Sequence, residues 1–282
     1  MARKLIQNII DDTERAFYAS KETDFFNITI AGPLDGESAF KESSDIEVND
    51  SHFELRYPFW HNTKTKITNC DFTETCRAGF WYDDGLEIDR ISYNGVKAIR
   101  ECKNIKIKDS TFNSEEFGWR SRDIEVENTE IVGFYAFFEC KNIKINNLKF
   151  KGKYSFQYVE NMIIDDSSLD TKDAFWHTKN VVVRNSNIIG EYLGWYSENL
   201  TLINCHIKGT QPLCYCKNLN IVDCTFEDCD LSFEYSEING NIKGGITSIK
   251  NPLKGHLTIE KKCEMIIDEN NRSNGQFSLD IK

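Results

Sequence analysis

The chain has 282 residues, a formal net charge of −11 and a mean hydropathy of −0.50. This negative charge disfavours binding to nucleic acid or to polyuronates unless a local basic patch counteracts it. No apolar run reaches the length of a membrane span, so we predict neither a membrane segment nor a membrane partner.

The N-terminal segment lacks the pattern of a secretory signal. Its apolar stretch, MARKLIQNIIDDTERAFY, is interrupted by Gln, Asn and two Asp residues. We therefore expect a cytoplasmic protein, and we assign residues 1–15 to a cap on the first repeat.

A nineteen-residue repeat extends over residues 16–240. Multiples of nineteen separate Trp81, Trp119, Trp176 and Trp195. Pairs of apolar residues follow the same period, with Asn or Asp two positions after each pair and another turn former just before most pairs. Because Asn and Asp tolerate left-handed backbone, each repeat is predicted to bend at these two places.

Between the bends, apolar and polar residues alternate as they do in β-strands. In the stretch NIKIKDSTF, Ile105, Ile107, Ser110 and Phe112 would face one side and the lysines the other. Nineteen residues are too few for a helix plus strands, but they suit three short strands joined by turns. The pattern predicts an all-β fold, a single-stranded right-handed parallel β-helix with about twelve coils of nineteen residues.

The third strand of each repeat has an unusual composition. Its second and fifth positions are apolar or small and are predicted to face inward. Its third position holds all five tryptophans, but also Lys41, Arg100 and Gln157. A buried charge without a partner is costly, so this position, including the tryptophans, is predicted to face outward.

The fourth position of the third strand contains polar and aromatic residues and almost no aliphatic ones. With coils about 4.8 Å apart, its members should form a file about 29 Å long: His61, Tyr82, Glu101, Arg120, Glu139, Tyr158 and His177. Exposed aromatic surface of this size usually marks a binding site. The predicted ligand-binding residues are Trp60, His61, Trp81, Tyr82, Arg100, Trp119, Arg120, Tyr158, Trp176, His177, Trp195 and Tyr196.

Three interpretations of this face remain open. Stacked aromatic rings and an ion ladder of Glu101, Arg120 and Glu139 would stabilise the sheet by up to about 1 kcal/mol per pair. Alternatively, the face is a shallow groove whose rings stack on a carbohydrate or another extended ligand. A third interpretation is a non-enzymatic scaffold for another protein or for self-association. The sequence does not predict an oligomeric state.

Catalysis is a further hypothesis, and it rests on Glu101 and Glu139. These residues are two coils apart, roughly 9 to 10 Å, near the upper limit for the two carboxylates of an inverting glycosidase. Arg120 between them would keep both ionised, which suits a base but not an acid. The adjacent acidic residues are interpreted as solvated turns: Asp83 and Asp84, Glu115 and Glu116, Asp165 and Asp166.

The ten cysteines are consistent with disulfides, a metal site or buried thiols. Six of them occupy two repeat phases that otherwise hold mostly Ser or Thr, which is typical of small inward positions: Cys70, Cys102, Cys140, Cys205, Cys216 and Cys224. The pair Cys214 and Cys216 lacks a second pair or a His at zinc-finger spacing. We therefore predict free inward thiols, no disulfide, no metal and no cofactor.

Residues 241–282 lose the repeat phases, and we assign them to a degenerate last coil and a C-terminal cap of the same domain. The segments NIKIKDSTF, DGESAFKES, DAFWHTKN, GEYLGWYSENLTLINC and PLCYCKNLNIVDC resemble a family of uncharacterised bacterial β-helix proteins with a pectin-lyase-like fold. The resemblance extends from about residue 16 to residue 236. It implies the fold and assigns no catalytic residues.

Overall fold

The computed structural model describes residues 3–32, 37–269, 271–273 and 275–282. The chain divides into two compact units, residues 1–143 and 144–282. The secondary structure of the described residues consists of strands and turns, and contains no helix. The predicted all-β, right-handed parallel β-helix is confirmed. None of the described segments is a helix long and apolar enough to cross a bilayer.

The strands are short and follow one another in each coil. The first unit contains β1 (Lys4–Asp11), β2 (Lys21–Ile30), β3 (Ser44–Asn49), β4 (His52–Phe53), β5 (Phe59–Trp60), β6 (Thr63–Thr68), β7 (Asp71–Phe72), β8 (Phe80–Trp81), β9 (Asp84–Asp89), β10 (Ser92–Asn94), β11 (Ile99–Arg100), β12 (Lys103–Lys108), β13 (Thr111–Asn113) and β14 (Arg122–Phe134). The unit boundary lies within the bounds of β15 (Lys141–Lys153). The second unit contains β16 (Glu160–Asp165), β17 (Ser168–Lys172), β18 (Lys179–Arg184), β19 (Asn187–Ile189), β20 (Glu198–Ile203), β21 (His206–Lys208), β22 (Leu219–Glu227), β23 (Glu237–Ile242), β24 (Ser248–Lys250), β25 (Lys254–Ile259), β26 (Glu264–Ile266) and β27 (Phe277–Ile281).

Each strand pairs in parallel with its equivalent in the next coil, so like residues form columns. Ile105 is aligned with Leu86 on one side and with Ile124 on the other. All three side chains are buried. In a second interior column, the rings of Phe59 and Phe80 stack with their centroids 5.3 Å apart. The hydrophobic core of each unit is therefore a set of columns that run from coil to coil.

The predicted bends are confirmed by the backbone. All residues at the Asn or Asp position after the apolar pairs have φ between 48° and 53°: Asn27, Asp50, Asn69, Arg90, Asp109, Asn128, Asn147, Asp166, Asn185, Asn204 and Asp223. The turn formers before the pairs are also left-handed, as at Asn180 (φ 56°) and Asn199 (φ 56°). The Asn199 amide donates to the side-chain oxygen of Asn180 at 2.9 Å. Such hydrogen bonds between asparagine side chains link successive coils at the corners.

Among the described residues, the third side of the coil is a strand at β5, β8 and β11, and again near the C-terminus at β24 and β26. Elsewhere among the described residues it is a turn, so the predicted third strand is wrong for most coils. From residue 118 to residue 213 the second position of the third side has a positive φ, which interrupts the strand: Gly118, Phe137, Phe156, Phe175, Gly194 and Leu213. Phe59, Phe80 and Ile99, at the same position of the strand-forming coils, do not have a positive φ. The fourth position is left-handed in the strand-forming coils as well, with φ between 51° and 61°: Glu42, His61, Tyr82, Glu101, Arg120, Glu139, Tyr158, His177, Tyr196 and Tyr215. Left-handed backbone is unfavourable for these residue types, but an inter-coil hydrogen bond offsets the cost. The His177 N–H, for example, donates to the Trp195 carbonyl at 2.9 Å.

The β-helix has about 14 turns rather than the predicted twelve. At the N-terminus, β1 lies in the segment assigned to the cap and pairs in parallel with β2. Near the C-terminus, the pairing of Glu237 with Lys254 has an offset of 17 residues, and that of Gly255 with Phe277 has an offset of 22. These C-terminal coils do not follow the nineteen-residue period, whereas β1 does, because Lys4 pairs with Thr23 at an offset of 19 residues.

The cysteines of the two predicted inward phases are buried. The third position of the third side was predicted to face outward, but it is buried at Gln157 and Cys214. All ten thiols are free, nine are buried and Cys263 is partly exposed. Burial raises the pKa of Cys140 to about 12. The Cys216 thiol donates to the Gly194 carbonyl at 3.2 Å. The thiols therefore act as small interior groups that satisfy carbonyl oxygens inside the coils.

Candidate functional site

Four aromatic rings form a continuous stack on the third side of the second unit. The centroids of Tyr158, His177, Tyr196 and Tyr215 are successively 4.9, 4.9 and 4.8 Å apart, and the planes differ by 6°, 6° and 11°. The coil repeat places one ring in each coil, so the coil spacing sets the ring spacing. Tyr158 and Tyr196 are each 46% exposed. We call this surface stack the aromatic column.

A row of charged residues runs beside the aromatic column. Strand pairing places Lys179 between Glu160 and Glu198, and an isolated bridge places Lys217 next to Glu198. The signs alternate, so the row has no net charge. Together, the column and the row line an open groove of about 470 Å³, the aromatic groove.

The aromatic side of the groove is uncharged at neutral pH. Partial burial lowers the pKa of His177 below its usual value, which favours the neutral imidazole. Partial burial, followed by the nearby Glu234 carboxylate, raises the pKa of Tyr215. The Tyr215 hydroxyl donates to the Glu234 carboxylate at 3.5 Å. The polar edges of this column are therefore neutral hydrogen-bonding groups.

Trp176 and Trp195 lie beside the column and also stack, with centroids 5.5 Å apart and planes within 6°. Both rings are half-buried. Their indole N–H groups donate to the backbone carbonyls of Tyr192 (2.7 Å) and Gln211 (2.8 Å) in the following coil. Trp119 makes the equivalent bond in the first unit at 2.7 Å. These tryptophans lie on the outer side of the coils, as predicted. Their indole hydrogen bonds also link each coil to the next one.

The first unit holds a second aromatic cluster on the same side of its coils. His61 stacks on Tyr82 at 4.9 Å, and Trp60 stacks on Trp81 at 5.4 Å. The Lys41 ammonium lies 4.2 Å from the centre of the Trp60 ring, a cation–π contact. Among the described residues, the indole N–H groups of Trp60 and Trp81 are buried without a hydrogen-bond partner.

The charged residues of the predicted file do not form one ladder. Arg120 donates to Glu139 at 2.8 Å. Glu101 instead pairs with Arg100 at 3.4 Å, and its hydrogen bond with Tyr82 raises the pKa of that tyrosine. No ion pair between described residues joins Arg120 to Glu101. The two candidate catalytic carboxylates thus have different partners, and no shared arginine bridges them.

One acidic pair does not lie in a solvated turn. Asp83 is only 1% exposed, because it occupies the inward fifth position between Asn62 and Cys102. Its Oδ1 accepts the Asn62 N–H at 2.7 Å, while its Oδ2 has no partner among the described residues. Burial raises its pKa well above the usual value, which favours the neutral carboxyl group. The interpretation as a solvated turn is wrong for Asp83, whereas Asp84 pairs with Lys103 at 3.0 Å near the surface.

Several groove residues were missed at the sequence level. Tyr215 occupies the same fourth position as Tyr196, but it was not among the predicted ligand-binding residues. In each coil the residue of the charged row comes two positions after the ring of the aromatic column, and its charge alternates in sign from coil to coil. The nineteen-residue repeat therefore also contained the signal for this row. For metals, the described residues include no group of three or more His, Cys, Asp or Glu side chains arranged around a common point.

A family model described as "Protein of unknown function (DUF3737)" matches residues 4–280. The chain belongs to this family. The predicted membership in a β-helix family without an assigned activity is therefore confirmed. The match to DUF3737 includes the terminal segments as well as the regular coils. No curated protein sequence matches the chain.

Solved structures similar to this DUF3737 protein are β-helix proteins. PfbA, a surface adhesin of Streptococcus pneumoniae, is 9% identical, with 93% of this chain and 81% of that chain covered and a TM-score of 0.42. A mannuronic acid specific polysaccharide family 6 lyase from human gut microbiota is 7% identical, with 97% and 79% covered and a TM-score of 0.37. A mutant tailspike protein of E. coli bacteriophage HK620, in complex with a pentasaccharide, is 10% identical, with 97% and 65% covered and a TM-score of 0.37. At these identities the likeness concerns the fold alone.

Proposed function

We propose that the aromatic groove of the second unit binds an extended carbohydrate chain that lies along the direction in which the coils stack. The observation that carries this proposal is the aromatic column, in which each coil contributes one ring at intervals of 4.8 to 4.9 Å. A repeating surface of this kind suits a repeating ligand, because every coil offers equivalent contacts to successive units of the polymer.

The contacts in this proposal are with the edges of the rings. Neighbouring rings of the column are nearly parallel and cover each other's faces. A sugar ring therefore does not stack flat on the inner members, which differs from the stacking expected at the sequence level. The exposed tyrosine hydroxyls both donate and accept hydrogen bonds, and so do sugar hydroxyls.

The charged row indicates which class of polysaccharide the groove prefers. Each lysine of the row lies between or beside glutamates, so no stretch of the groove is strongly positive. The net charge of −11 also repels polyanions. A neutral polysaccharide meets donors and acceptors along the row without an electrostatic penalty. We therefore propose neutral glycans as ligands, in preference to polyuronates.

The proposal is tested by affinity electrophoresis and calorimetry with soluble neutral, acidic and basic polysaccharides. The key variant is Tyr158→Phe combined with Tyr196→Phe, which removes two exposed hydroxyls and keeps both rings stacked. Loss of two hydrogen bonds should weaken binding by roughly tenfold or more. Tyr135→Phe, at an exposed tyrosine of the first unit, is the matched control. The proposal is rejected if no neutral polysaccharide binds, or if the double variant binds as tightly as the wild type.

A further inference from the structure

The first strand of the first unit has an unpaired edge. β1 pairs in parallel with β2, from Lys4 with Thr23 to Asp11 with Ile30. No described strand pairs with the opposite edge of β1. Such an edge presents a row of backbone N–H and C=O groups that can pair with another chain.

The side chains of β1 leave the end of the core incompletely covered. Phe25 of β2 is fully buried, whereas Ile6 and Ile9 of β1 are only half-buried. On the outer side of the strand, Leu5 is 59% exposed and Ile10 is 79% exposed. One further strand placed on this edge would cover the inward side chains Ile6 and Ile9 and would place neighbouring side chains beside Leu5 and Ile10.

The inward and outward sets of β1 follow from its pairing with β2. Lys4, Ile6, Ile9 and Asp11 are aligned with buried residues of β2 and point inward; Leu5, Gln7 and Ile10 are aligned with residues that are not buried and point outward. The strand bends at Asn8, which has φ 57°. Two arms of similar length therefore meet at this bend.

We propose that two copies of the chain associate through antiparallel pairing of their β1 strands. In one register related by a two-fold axis, each inward residue of β1 lies opposite an inward residue of the second copy, and each outward residue lies opposite an outward one. Lys4 then lies opposite Asp11 of the second copy, Leu5 opposite Ile10, Ile6 opposite Ile9, and Gln7 opposite Asn8. A two-fold axis near the bend exchanges the two arms, so the bent strands still align. Every contact occurs twice, as in an isologous interface.

The charges at the ends of β1 specify this partner. An inward charge at a sheet edge normally prevents edge-to-edge pairing. Here the two inward charges, Lys4 and Asp11, have opposite signs and equal distances from the centre of the strand. Antiparallel pairing with a second copy thus brings each charge to its complement. At the centre, the Asn8 side-chain oxygen already accepts the Asn27 amide at 2.8 Å, which leaves the Asn8 amide to donate to Gln7 of the second copy.

The proposal is tested by sedimentation velocity and light scattering on the full chain across the micromolar range. The wild type should be a dimer. Lys4→Asp opposes two carboxylates and Asp11→Lys opposes two ammonium groups, so each variant should be a monomer. An equimolar mixture of the two variants should form a dimer again, because both pairs are then complementary. Lys21→Asp, which makes the same charge change at an exposed position of β2, should remain a dimer.

A cross-link keeps the proposal testable if a charge variant fails to fold. Gln7→Cys, in a Cys263→Ser background that removes the one partly exposed thiol, should form a disulfide-linked dimer on oxidation. Lys21→Cys in the same background should not. A monomeric wild type, an assembly larger than a dimer, a mixture that stays monomeric, or equal cross-linking at residues 7 and 21 would each overturn the proposal.

Discussion

The imidazole of His177 stacks on the ring of Tyr196 with a centroid distance of 4.9 Å and an angle of 6° between the planes. The same geometry recurs on its other side with Tyr158. An inner ring of the column thus contacts two neighbours, and the column has both a stabilising role and a polar outer edge. These two roles are separable by substitution.

Tyr196→Ala should lower the free energy of unfolding by about 1 to 3 kcal/mol, because it removes ring contacts with His177 and Tyr215 that are worth about 0.5 to 1.5 kcal/mol each. Tyr196→Phe should have almost no effect on stability, since it keeps both contacts. Urea denaturation followed by circular dichroism measures the difference. Equal losses for Ala and Phe would mean that the hydroxyl, and not the stacking, stabilises the coil.

Arg120→Ala should cost about 1 kcal/mol or less, because the pair with Glu139 is exposed on both sides (52% and 42%) and screened by water. A double-mutant cycle with Glu139→Ala should give a coupling energy of about 0.2 to 1 kcal/mol that decreases with added salt. A coupling well above this range, or one insensitive to salt, would contradict a surface ion pair.

Asp83→Asn should stabilise the protein increasingly as the pH rises. The folded-state pKa of Asp83 is raised well above its usual value of 3.8, so above that pH the folded state binds more protons than the unfolded state. The contribution of Asp83 to the free energy of unfolding is therefore fully present below about pH 3.8, and it decreases as the pH rises towards the raised folded-state pKa. The asparagine side chain of the variant carries no charge at any pH, so the stability of the variant does not decrease with pH in this way.

The measurement is the urea midpoint of the wild type and of Asp83→Asn between pH 4 and pH 8. Asp84→Asn is the control, because Asp84 lies near the surface beside Lys103. Parallel profiles for the wild type and Asp83→Asn would show that the carboxyl group is solvated in the folded protein.

The native protein should react rapidly with a thiol reagent at Cys263 alone. The other nine thiols are buried, so the reagent cannot reach them, and at Cys70 burial also raises the pKa to about 12. All ten should react after denaturation without a reductant. Mass spectrometry after brief alkylation counts the sites, and fast native labelling at several positions would contradict the inward assignment.

The sequence by itself determined the coil, its register and the composition of each column. These properties follow from local preferences, since Asn and Asp favour the bends and alternating apolar residues favour the strands. A residue such as Tyr196 could thus be assigned to the same surface file as His177 from spacing alone. The period failed where coil lengths change, as between Glu237 and Lys254.

Only the tertiary structure decided the conformation, burial and partners of the residues in each column. Left-handed backbone at the fourth position, ring faces covered by neighbouring rings, the burial of Asp83, and the pairing of Glu101 with Arg100 all depend on contacts between coils. Spacing specifies which residues are neighbours, but it does not specify backbone direction or side-chain rotamer. Packing and hydrogen bonding between coils determine both. They decide whether the faces of the aromatic rings are open to a ligand or, as in the aromatic column, only their polar edges are.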